Sequence, residues 1–285
     1  MMIAICDSGG TKGDWVFIRD QEVYKLVAPG FNPYTHEIPQ YLETLQSLLH
    51  EISPEQVNQV HFYGAGCREE KQQETVRKGL ASLFSKADIE VNQDLLAAAR
   101  ATCGHSRGIA CILGTGANSG LYDGTGFIDN IPTLGYLAGD EGSGAHFGKL
   151  LIKAYFYREM PANVRAAFDE FFPGRHEKIL SHLYSKNTPN TFLASFMKFA
   201  VEHTGDPFIH NLLLKNFQDF LDTQVKKYEG YRDLSVHFVG SVAHYFTDIL
   251  KECLERNGVH CGLILSRPME RLIKFHSKGT HEDHP

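Results

Sequence analysis

A short apolar run that leads into a glycine-rich turn occurs twice in this chain, and the repetition restricts the fold more than any other feature. The first copy is Ile3–Cys6 followed by Asp7–Lys12, and the second is Ile109–Leu113 followed by Gly114–Asn118. Each apolar run predicts a buried strand, and the alternating residues after each turn predict a hairpin. Two such hairpins, roughly a hundred residues apart, indicate two similar domains.

The two turns also indicate a ligand. Backbone N–H groups at a glycine turn can point outward together and form a concave site for anions, so phosphate is the expected ligand. The predicted phosphate-binding residues are Gly9, Gly10, Thr11 and Lys12 in the first turn and Gly114, Thr115 and Gly116 in the second. For Lys12 the competing interpretation is a solvated surface lysine.

Asp7, Asp94 and the pair Gly240–Ser241 each stand where a predicted strand ends. Asp7 can hold Mg²⁺ through water or cap its own loop, and the repeated turn favours the first interpretation. Asp94 precedes a helix, so it can act as a general base in phosphoryl transfer or cap that helix. The sequence leaves both open. Gly240–Ser241 either permits a close backbone approach to adenosine or only packs a strand against a helix.

Four short polar residues lie in glycine-rich loops: Asn32, Asn118, Asp140 and Glu141. Together they suit hydrogen bonding to a polyol. The alternative is ordinary loop chemistry, with the two adjacent carboxylates placed at the positive end of a helix.

The hydrophobic periodicity predicts an α/β fold, with a mixed sheet covered by helices in each domain. The elements expected in the first half are strands at Glu22–Val27, Val57–Tyr63 and Ile89–Val91 and helices around Leu42–Ile52, at Glu70–Lys86 and at Leu95–Thr102. Those expected in the second half are helices around Phe147–Tyr155, within Ala162–Tyr228, around Phe246–Leu250 and at Arg267–Lys274, and strands at Leu234–Val239 and Gly262–Leu265. We therefore expect domains at 1–106 and 107–267, with a helical insertion at 160–230 and a C-terminal helix at 268–276 that can return to the first domain.

Composition limits the classes of function. The chain has 285 residues, of which 42% are hydrophobic and 22% charged, as in soluble globular proteins. A net charge of -6 argues against a nucleic-acid surface and leaves a bound polyphosphate to backbone N–H groups and a metal ion. Six scattered cysteines without a Cys-x-x-Cys pair, and no signal-peptide or membrane-spanning pattern, predict a cytoplasmic protein without a membrane partner. The polar, His-rich tail from Ser277 predicts a disordered end, with a metal site as the alternative.

Three of these motifs resemble those of a known superfamily. The segments Ile5–Lys12, Gly114–Asn118 and Gly240–Val242 are similar to the two phosphate motifs and the adenosine motif of actin-like sugar kinases. The segment Gly135–Gly144 resembles the signature of N-acetylglucosamine kinases in the BadF/BadG/BcrA/BcrD ATPase family. The resemblance covers nearly the whole chain and is weakest in the helical insertion. It implies two ribonuclease-H-like domains that close on ATP·Mg²⁺ and a sugar.

The resemblance also implies roles for single residues. Asp94 matches the catalytic aspartate, and the positions that match those around the amino sugar are Asn32, Asn118, Gly135, Tyr136 and Asp140. Tyr136 stands where close relatives often carry tryptophan, which leaves the identity of the sugar open. Ser241 replaces the second glycine of the adenosine motif. The implied activity is transfer of the γ-phosphoryl group of ATP to N-acetylglucosamine or a close amino sugar, at the 6-hydroxyl.

Several alternatives remain open from the sequence. The substrate can be N-acetylmuramic acid or glucosamine instead. The protein can also be an ATP-driven activator of the same wider family, whose cysteines bridge an iron–sulfur cluster, although the cysteines here mostly lie in predicted strands. A sugar-binding regulator without catalysis is a third alternative. We find no Cys-rich cluster like the zinc site of ROK kinases and expect no zinc. The oligomeric state is open, with a homodimer as one alternative.

Overall fold

The computed structural model describes residues 1–9, 12–20, 22–34, 36–173, 176–184 and 189–278. Within these ranges the strands are β1 (Met2–Ser8), β2 (Lys12–Arg19), β3 (Glu22–Pro29), β4 (Val57–Gly64), β5 (Asp88–Gln93), β6 (Gly108–Leu113), β7 (Ala117–Tyr122), β8 (Phe127–Asp129), β9 (Val236–Val239) and β10 (Cys261–Leu265). The α-helices are α1 (Ile38–Leu48), α2 (Glu70–Leu83), α3 (Asp94–Thr102), α4 (Gly135–Ala138), α5 (Gly144–Phe156), α6 (Ala162–Phe171), α7 (His176–Leu183), α8 (Pro189–Ser195), α9 (Met197–Glu202), α10 (Pro207–Thr223), α11 (Ser241–Tyr245), α12 (Thr247–Arg256) and α13 (Met269–Lys278).

The chain divides into two compact units. The first unit comprises residues 1–101 together with the C-terminal segment from Pro268, and the second comprises Thr102–Arg267. The first sheet has the strand order β3-β2-β1-β4-β5, and the second, written in the same direction, has the order β8-β7-β6-β9-β10. In the first sheet β2 pairs antiparallel with both β1 and β3, whereas β4 and β5 run parallel to β1. In the second sheet β7 likewise pairs antiparallel with both β6 and β8, whereas β9 and β10 run parallel to β6. The predicted α/β fold of two similar domains is confirmed.

The core of the first unit is built around buried aromatic side chains of the sheet. Trp15 and Phe17 alternate inward on β2 and are fully buried with Phe62 and Phe84. The indole N–H of Trp15 donates to the hydroxyl of Tyr41 on α1 at 3.1 Å. Burying a large aromatic side chain with its polar atom paired contributes roughly 1.5–3 kcal/mol. The amphipathic pattern of α1 and α2 therefore closes one face of this sheet.

The second unit differs from the first mainly between its third and fourth strands, where the chain forms α4 to α10 among the described residues. Phe168, Phe196 and Phe199 are buried together in this helical part. Helices α5 and α8 approach closely at Gly148, because a Cβ atom there would collide with the backbone of Leu193. No described helix combines the length and apolar character needed to cross a bilayer.

Element ends depart from the predictions where tertiary contacts decide them. Helix α2 ends at Leu83 rather than Lys86, because Phe84 turns into the core and is fully buried. Helix α13 continues to Lys278 rather than Lys274, so the prediction of a disordered tail from Ser277 is wrong for that residue. Residues 279–285 lie outside the described residues.

A network of polar side chains holds α13 on the first unit. The rings of His61 and His276 stack with centroids 3.8 Å apart, and His276 Nε2 shares a hydrogen bond of 2.8 Å with the Tyr63 hydroxyl. Arg100 donates to the same hydroxyl at 2.6 Å and to Glu90 at 2.9 and 3.2 Å. Burial, reinforced by the charges of His61 and Arg100, lowers the pKa of His276 to about 3. The helix is therefore held with His276 neutral.

This network predicts that stability falls on mild acidification. A histidine in the unfolded chain binds a proton near pH 6.5, whereas folded His276 resists it, so the unfolded state binds more protons between about pH 6.5 and 3. We expect His276→Gln to flatten the pH dependence of the free energy of unfolding between pH 6.5 and 4.5, by up to about 1 kcal/mol per pH unit. Within that window Glu90 stays ionised in the folded state, because its hydrogen-bond partners lower its pKa against the effect of burial. An unfolded glutamate becomes protonated mainly below about pH 4.3.

Urea titrations across this pH range measure the effect. His50→Gln, at an exposed histidine of the same unit, is the control and should leave the slope unchanged. Equal slopes for the wild type and His276→Gln would contradict the prediction.

Candidate functional site

The parallel strands of the first unit end in a row. Ser8 pairs with Gly64, and Gly64 pairs with Gln93, so β1, β4 and β5 end side by side. Ligands of open α/β sheets bind outside the carboxyl ends of the strands. Asp7 and Asp94, singled out in the sequence, both lie at this edge.

The loop Gly64–Cys67 at the end of β4 contacts residues of neighbouring elements. The N–H of Ala65 donates to the carbonyl of Ser8 at 2.8 Å. A Cβ on Gly66, whose φ is +83°, would lie 2.5 Å from Asn32 Oδ1, so only glycine lets the Asn32 amide come this close. Burial and then the charge of Asp94 raise the pKa of the Cys67 thiol to about 12, so this thiol lies in the electrostatic field of that carboxylate. Asn32 and Asp94 therefore both lie near the loop Gly64–Cys67.

Ser8 holds the loop that carries Asn32. Its side chain is fully buried, and its hydroxyl accepts a hydrogen bond of 2.8 Å from the N–H of Phe31. Sequence reasoning passed over this role, because a serine in a glycine turn looks like any turn residue. The feature of the sequence that could have indicated this role is the position of Ser8 directly after Asp7 in a buried strand.

Asp94 is the first residue of α3, and both interpretations of it have structural support. Its Oδ1 accepts the N–H of Leu95 at 2.8 Å, which serves the start of the helix. Burial raises the pKa of the Asp94 carboxyl, while the N–H groups of Leu95 and of Asp94 itself oppose the rise. A raised pKa makes a carboxylate a better proton acceptor, as a general base requires.

The first glycine turn is only partly described, since Gly10 and Thr11 lie outside the described residues. The N–H of Gly9 donates to the carbonyl of Lys12 at 3.0 Å and is thus used within the turn. The Lys12 ammonium pairs with Asp14 at 2.6 Å, and Lys12 is exposed, which is compatible both with a surface lysine and with a phosphate-binding one. Asp14 stands opposite Asp7 in the register of β1 and β2, which places two carboxylates beside this turn.

In the second unit the Gly114–Gly116 turn is fixed to the start of α5. The N–H of Gly114 donates to the carbonyl of Gly116 at 3.0 Å, and the carbonyls of Gly114 and Thr115 accept from Gly144 and Ala145 at 2.8 and 3.1 Å. Among the described residues, the N–H groups of Thr115 and Gly116 find no acceptor. These two amides are the ones that remain for an anion.

A pocket of about 440 Å³ adjoins this turn and is lined on one side by Gly114 and Thr115. The residues that complete it are Gly144, Ala194, Met197, Lys198, Val201, Glu202, Ser241, Val242, Tyr245 and Phe246. Gly240 enters this region with φ +127°, and a Cβ there would collide with the carbonyl of Leu113. Apolar walls with a few polar groups at the rim suit a planar heterocycle.

Sequence reasoning found Ser241 and missed the lining residues of α8 and α9. Met197 and Val201 are apolar residues at helical spacing, which a sequence does not distinguish from core positions.

Asp140 and Asn118 lie beside the same turn. A Cβ on Gly116 would come within 3.1 Å of Asp140 Oδ2, and Asn118 Oδ1 accepts the N–H of Ser119 at 2.9 Å. Burial raises the pKa of Asp140 to about 6, although the Ala117 N–H and the charge of Lys149 favour its carboxylate. Asp140 also has φ +59°, a left-handed conformation that is uncommon outside glycine and that aspartate and asparagine adopt more often than other residues.

The segment Thr133–Ser143, called here the α4 loop, carries Gly135, Tyr136 and Asp140. Tyr136 is half-buried and packs against the core of the second unit. The Lys149 ammonium donates to the carbonyls of Tyr136 and Gly139 at 2.7 and 3.2 Å. Lys149 was missed because one lysine in an amphipathic helix gives no signal in a sequence.

In the described residues no three histidine, cysteine, aspartate or glutamate side chains are grouped so as to hold a metal ion. Mg²⁺ does not require such a group, because it keeps several waters and is bound by one or two carboxylates together with substrate phosphates. The half-buried carboxylates of Asp7 and Asp14 beside the first turn fit that mode.

No protein-family model and no functionally curated protein matches the chain, whereas solved structures do. A candidate N-acetylglucosamine kinase from Porphyromonas gingivalis is 36% identical, with a TM-score of 0.91, and the match covers 98% of this chain and 99% of that one. A candidate N-acetylglucosamine kinase from Chromobacterium violaceum is 16% identical, with a TM-score of 0.70 and coverage of 96% and 98%. The ROK hexokinase from Thermus thermophilus is 17% identical, with a TM-score of 0.52 and coverage of 93% and 92%. The last two share the fold.

Proposed function

Because the chain belongs to the family of N-acetylglucosamine kinase-like proteins, we propose that it is an ATP-dependent kinase that phosphorylates N-acetylglucosamine or a close amino sugar at the 6-hydroxyl. The observation that carries the proposal is the surroundings of the Gly114–Gly116 turn. The turn has two N–H groups left for phosphate, and it adjoins both an apolar pocket and the Asp140 carboxylate.

The pocket is the proposed site of the adenosine group. Val242 and Phe246 supply apolar surface, and Gly240 and Ser241 bring the backbone of the β9–α11 connection to its edge. The N–H groups of Thr115 and Gly116 then meet phosphate oxygens. In the first unit the proposed phosphate-binding residues are Gly9, Gly10, Thr11 and Lys12.

Asp7 is the proposed ligand of Mg²⁺, which when bound neutralises charge that develops on the phosphate oxygens. The paired Lys12 and Asp14 keep a cation and an anion at the same turn. The net charge of -6 gives no general attraction for a polyphosphate, so this local arrangement has to supply it.

Asp94 is the proposed general base. It accepts the proton of the sugar hydroxyl as that oxygen forms its bond to the γ-phosphorus and the bond to the bridging oxygen of ATP breaks. The loose transition state leaves positioning and charge stabilisation as the main tasks of the protein. The residues proposed to hold the sugar are Asn32, Asn118, Gly135, Tyr136 and Asp140.

We expect the N-acetyl group to decide substrate choice. A site that hydrogen-bonds an acetamido group leaves buried polar atoms unpaired when glucosamine binds, and such mismatches reduce kcat/KM by about 10⁴. The test is a coupled kinase assay with N-acetylglucosamine, N-acetylmuramic acid and glucosamine, each with MgATP, together with thermal shifts for each sugar. N-acetylglucosamine should give the highest kcat/KM and raise the Tm by mass action.

ATP alone is the control, since a closed site that excludes water should hydrolyse it slowly. Equal rates with the three sugars would contradict the proposed selectivity for N-acetylglucosamine. ATP hydrolysis without any sugar phosphate would favour a conformational activator, and sugar binding without turnover would favour a regulator. The six cysteines are free thiols, which accords with the proposed cytoplasmic location.

A further inference from the structure

Lys149 makes an unusual pair of contacts for a lysine in the middle of a helix. Its ammonium reaches from α5 to two backbone carbonyls of the α4 loop, at 2.7 Å from Tyr136 and 3.2 Å from Gly139. The Tyr136 carbonyl belongs to the four-residue helix α4, and the Gly139 carbonyl follows directly after that helix. The last carbonyls of a helix have no partner within it, and a lysine is a favourable donor there.

The α4 loop needs an external support because its own backbone is strained. Leu134 and Asp140 have φ values of +56° and +59°, and such left-handed conformations persist only when surrounding contacts enforce them. Gly139 adds a close approach, since a Cβ there would collide with the carbonyl of Thr133. Lys149 is a half-buried cation that spans this loop.

We infer that Lys149 is a positioning residue for the sugar, which fixes the α4 loop and so places the Asp140 side chain beside the Gly114–Gly116 turn. The inference rests on the proposed function only in naming the sugar as the ligand of Tyr136 and Asp140. Lys149 does not touch the reacting atoms in this scheme. It acts through the two carbonyls and through its charge.

The charges around Asp140 determine what the loss of Lys149 does. The pKa of Asp140 is raised to about 6: burial raises it most, the Ala117 N–H and the Lys149 ammonium lower it, and Glu141 raises it. Without the Lys149 ammonium, burial and the Glu141 charge raise the pKa of Asp140 with less opposition. Asp140 is therefore protonated at a higher pH. Burial and then the same ammonium lower the pKa of His146 to about 4, so removing Lys149 raises the pKa of His146 as well. The titration of Asp140 is therefore followed at its own carboxyl.

The test compares Lys149→Met, Lys149→Arg and Lys153→Met. Lys153 is exposed one turn further along α5 and is the matched control. In Lys149→Met, the KM for N-acetylglucosamine at pH 7 should rise about tenfold or more, as for loss of a charge-assisted hydrogen bond, while the KM for ATP changes less than about threefold. The acid limb of the pH profile of kcat/KM should move to higher pH.

Lys149→Arg keeps the charge and should restore the acid limb, and Lys153→Met should match the wild type. An activity-independent readout is the ¹³C NMR titration of the Asp140 carboxyl, assigned with Asp140→Asn, in wild type and Lys149→Met. An upward pKa shift in the variant supports the inference even if no amino sugar is phosphorylated, which would overturn the proposed function alone. An unshifted Asp140 pKa with an unchanged sugar KM would overturn the inference. If Lys149→Met fails to fold, an Asp140 pKa in Lys149→Arg equal to that of the wild type supports it, and a raised pKa there opposes it.

Discussion

Asp94→Asn should lower kcat by at least about a hundredfold while the protein still binds N-acetylglucosamine. The substitution removes the group that takes the proton from the sugar hydroxyl, and general-base catalysis contributes about 10²–10⁴ in rate. Asparagine keeps an oxygen that can accept the Leu95 N–H, as Asp94 does at 2.8 Å, and it serves as well as aspartate at a helix start. The loss should therefore appear in turnover and not in folding.

Initial rates with saturating sugar and MgATP measure kcat, and a thermal-shift titration measures sugar binding. Asp88→Asn is the control, because Asp88 is exposed at the opposite end of β5. Turnover within about threefold of the wild type would remove Asp94 from the mechanism. Loss of sugar binding together with turnover would instead assign Asp94 to substrate binding.

The second large effect concerns Gly240, where we expect alanine to destabilise the protein and to abolish its stabilisation by ATP. Gly240 has φ +127° and ψ 163°, a region essentially restricted to glycine. A Cβ there would also collide with the Leu113 carbonyl at the end of β6. Strain and overpacking together cost about 2–5 kcal/mol. The displaced backbone carries Ser241 and Val242, which line the pocket.

Urea unfolding measures the stability, and the rise in Tm with MgATP measures the nucleotide site. Gly230→Ala separates the two causes, because Gly230 also has a positive φ, of +71°, but a Cβ there meets no atom within 4 Å. It should cost about 1–2 kcal/mol and keep the response to ATP. A Gly240→Ala protein as stable and as responsive as Gly230→Ala would show that the close approach to Leu113 has no role.

The residues that sequence reasoning found share a local pattern. Asp7 lies near the end of β1, and Asp94 and Gly240 each follow directly on a strand. The end of a strand is visible in the sequence as the end of an apolar run. The structure adds what that pattern does not contain. It shows the Gly9 and Gly114 amides bonded within their own turns, which leaves fewer donors for phosphate than the glycines alone suggest.

The residues that sequence reasoning missed act through contacts between distant parts of the chain. Ser8 bonds Phe31, and Lys149 bonds the α4 loop, yet neither has a distinctive neighbourhood in the sequence. Met197 and Val201 line the pocket with side chains that would serve equally well in a core. The pKa shifts of Asp94 and Asp140 arise from burial, which depends on the packing of elements far apart in the chain.

By itself the sequence determined the duplicated sheet, the α/β class and the positions of the two glycine turns, because strand periodicity and glycine turns are properties of short segments. Tertiary structure alone decided which amides remain free for an anion, which carboxylates are buried, and which lysine holds the α4 loop. Those properties depend on desolvation and on hydrogen bonds between residues that are far apart in the chain. Neither is determined by any one segment of the sequence.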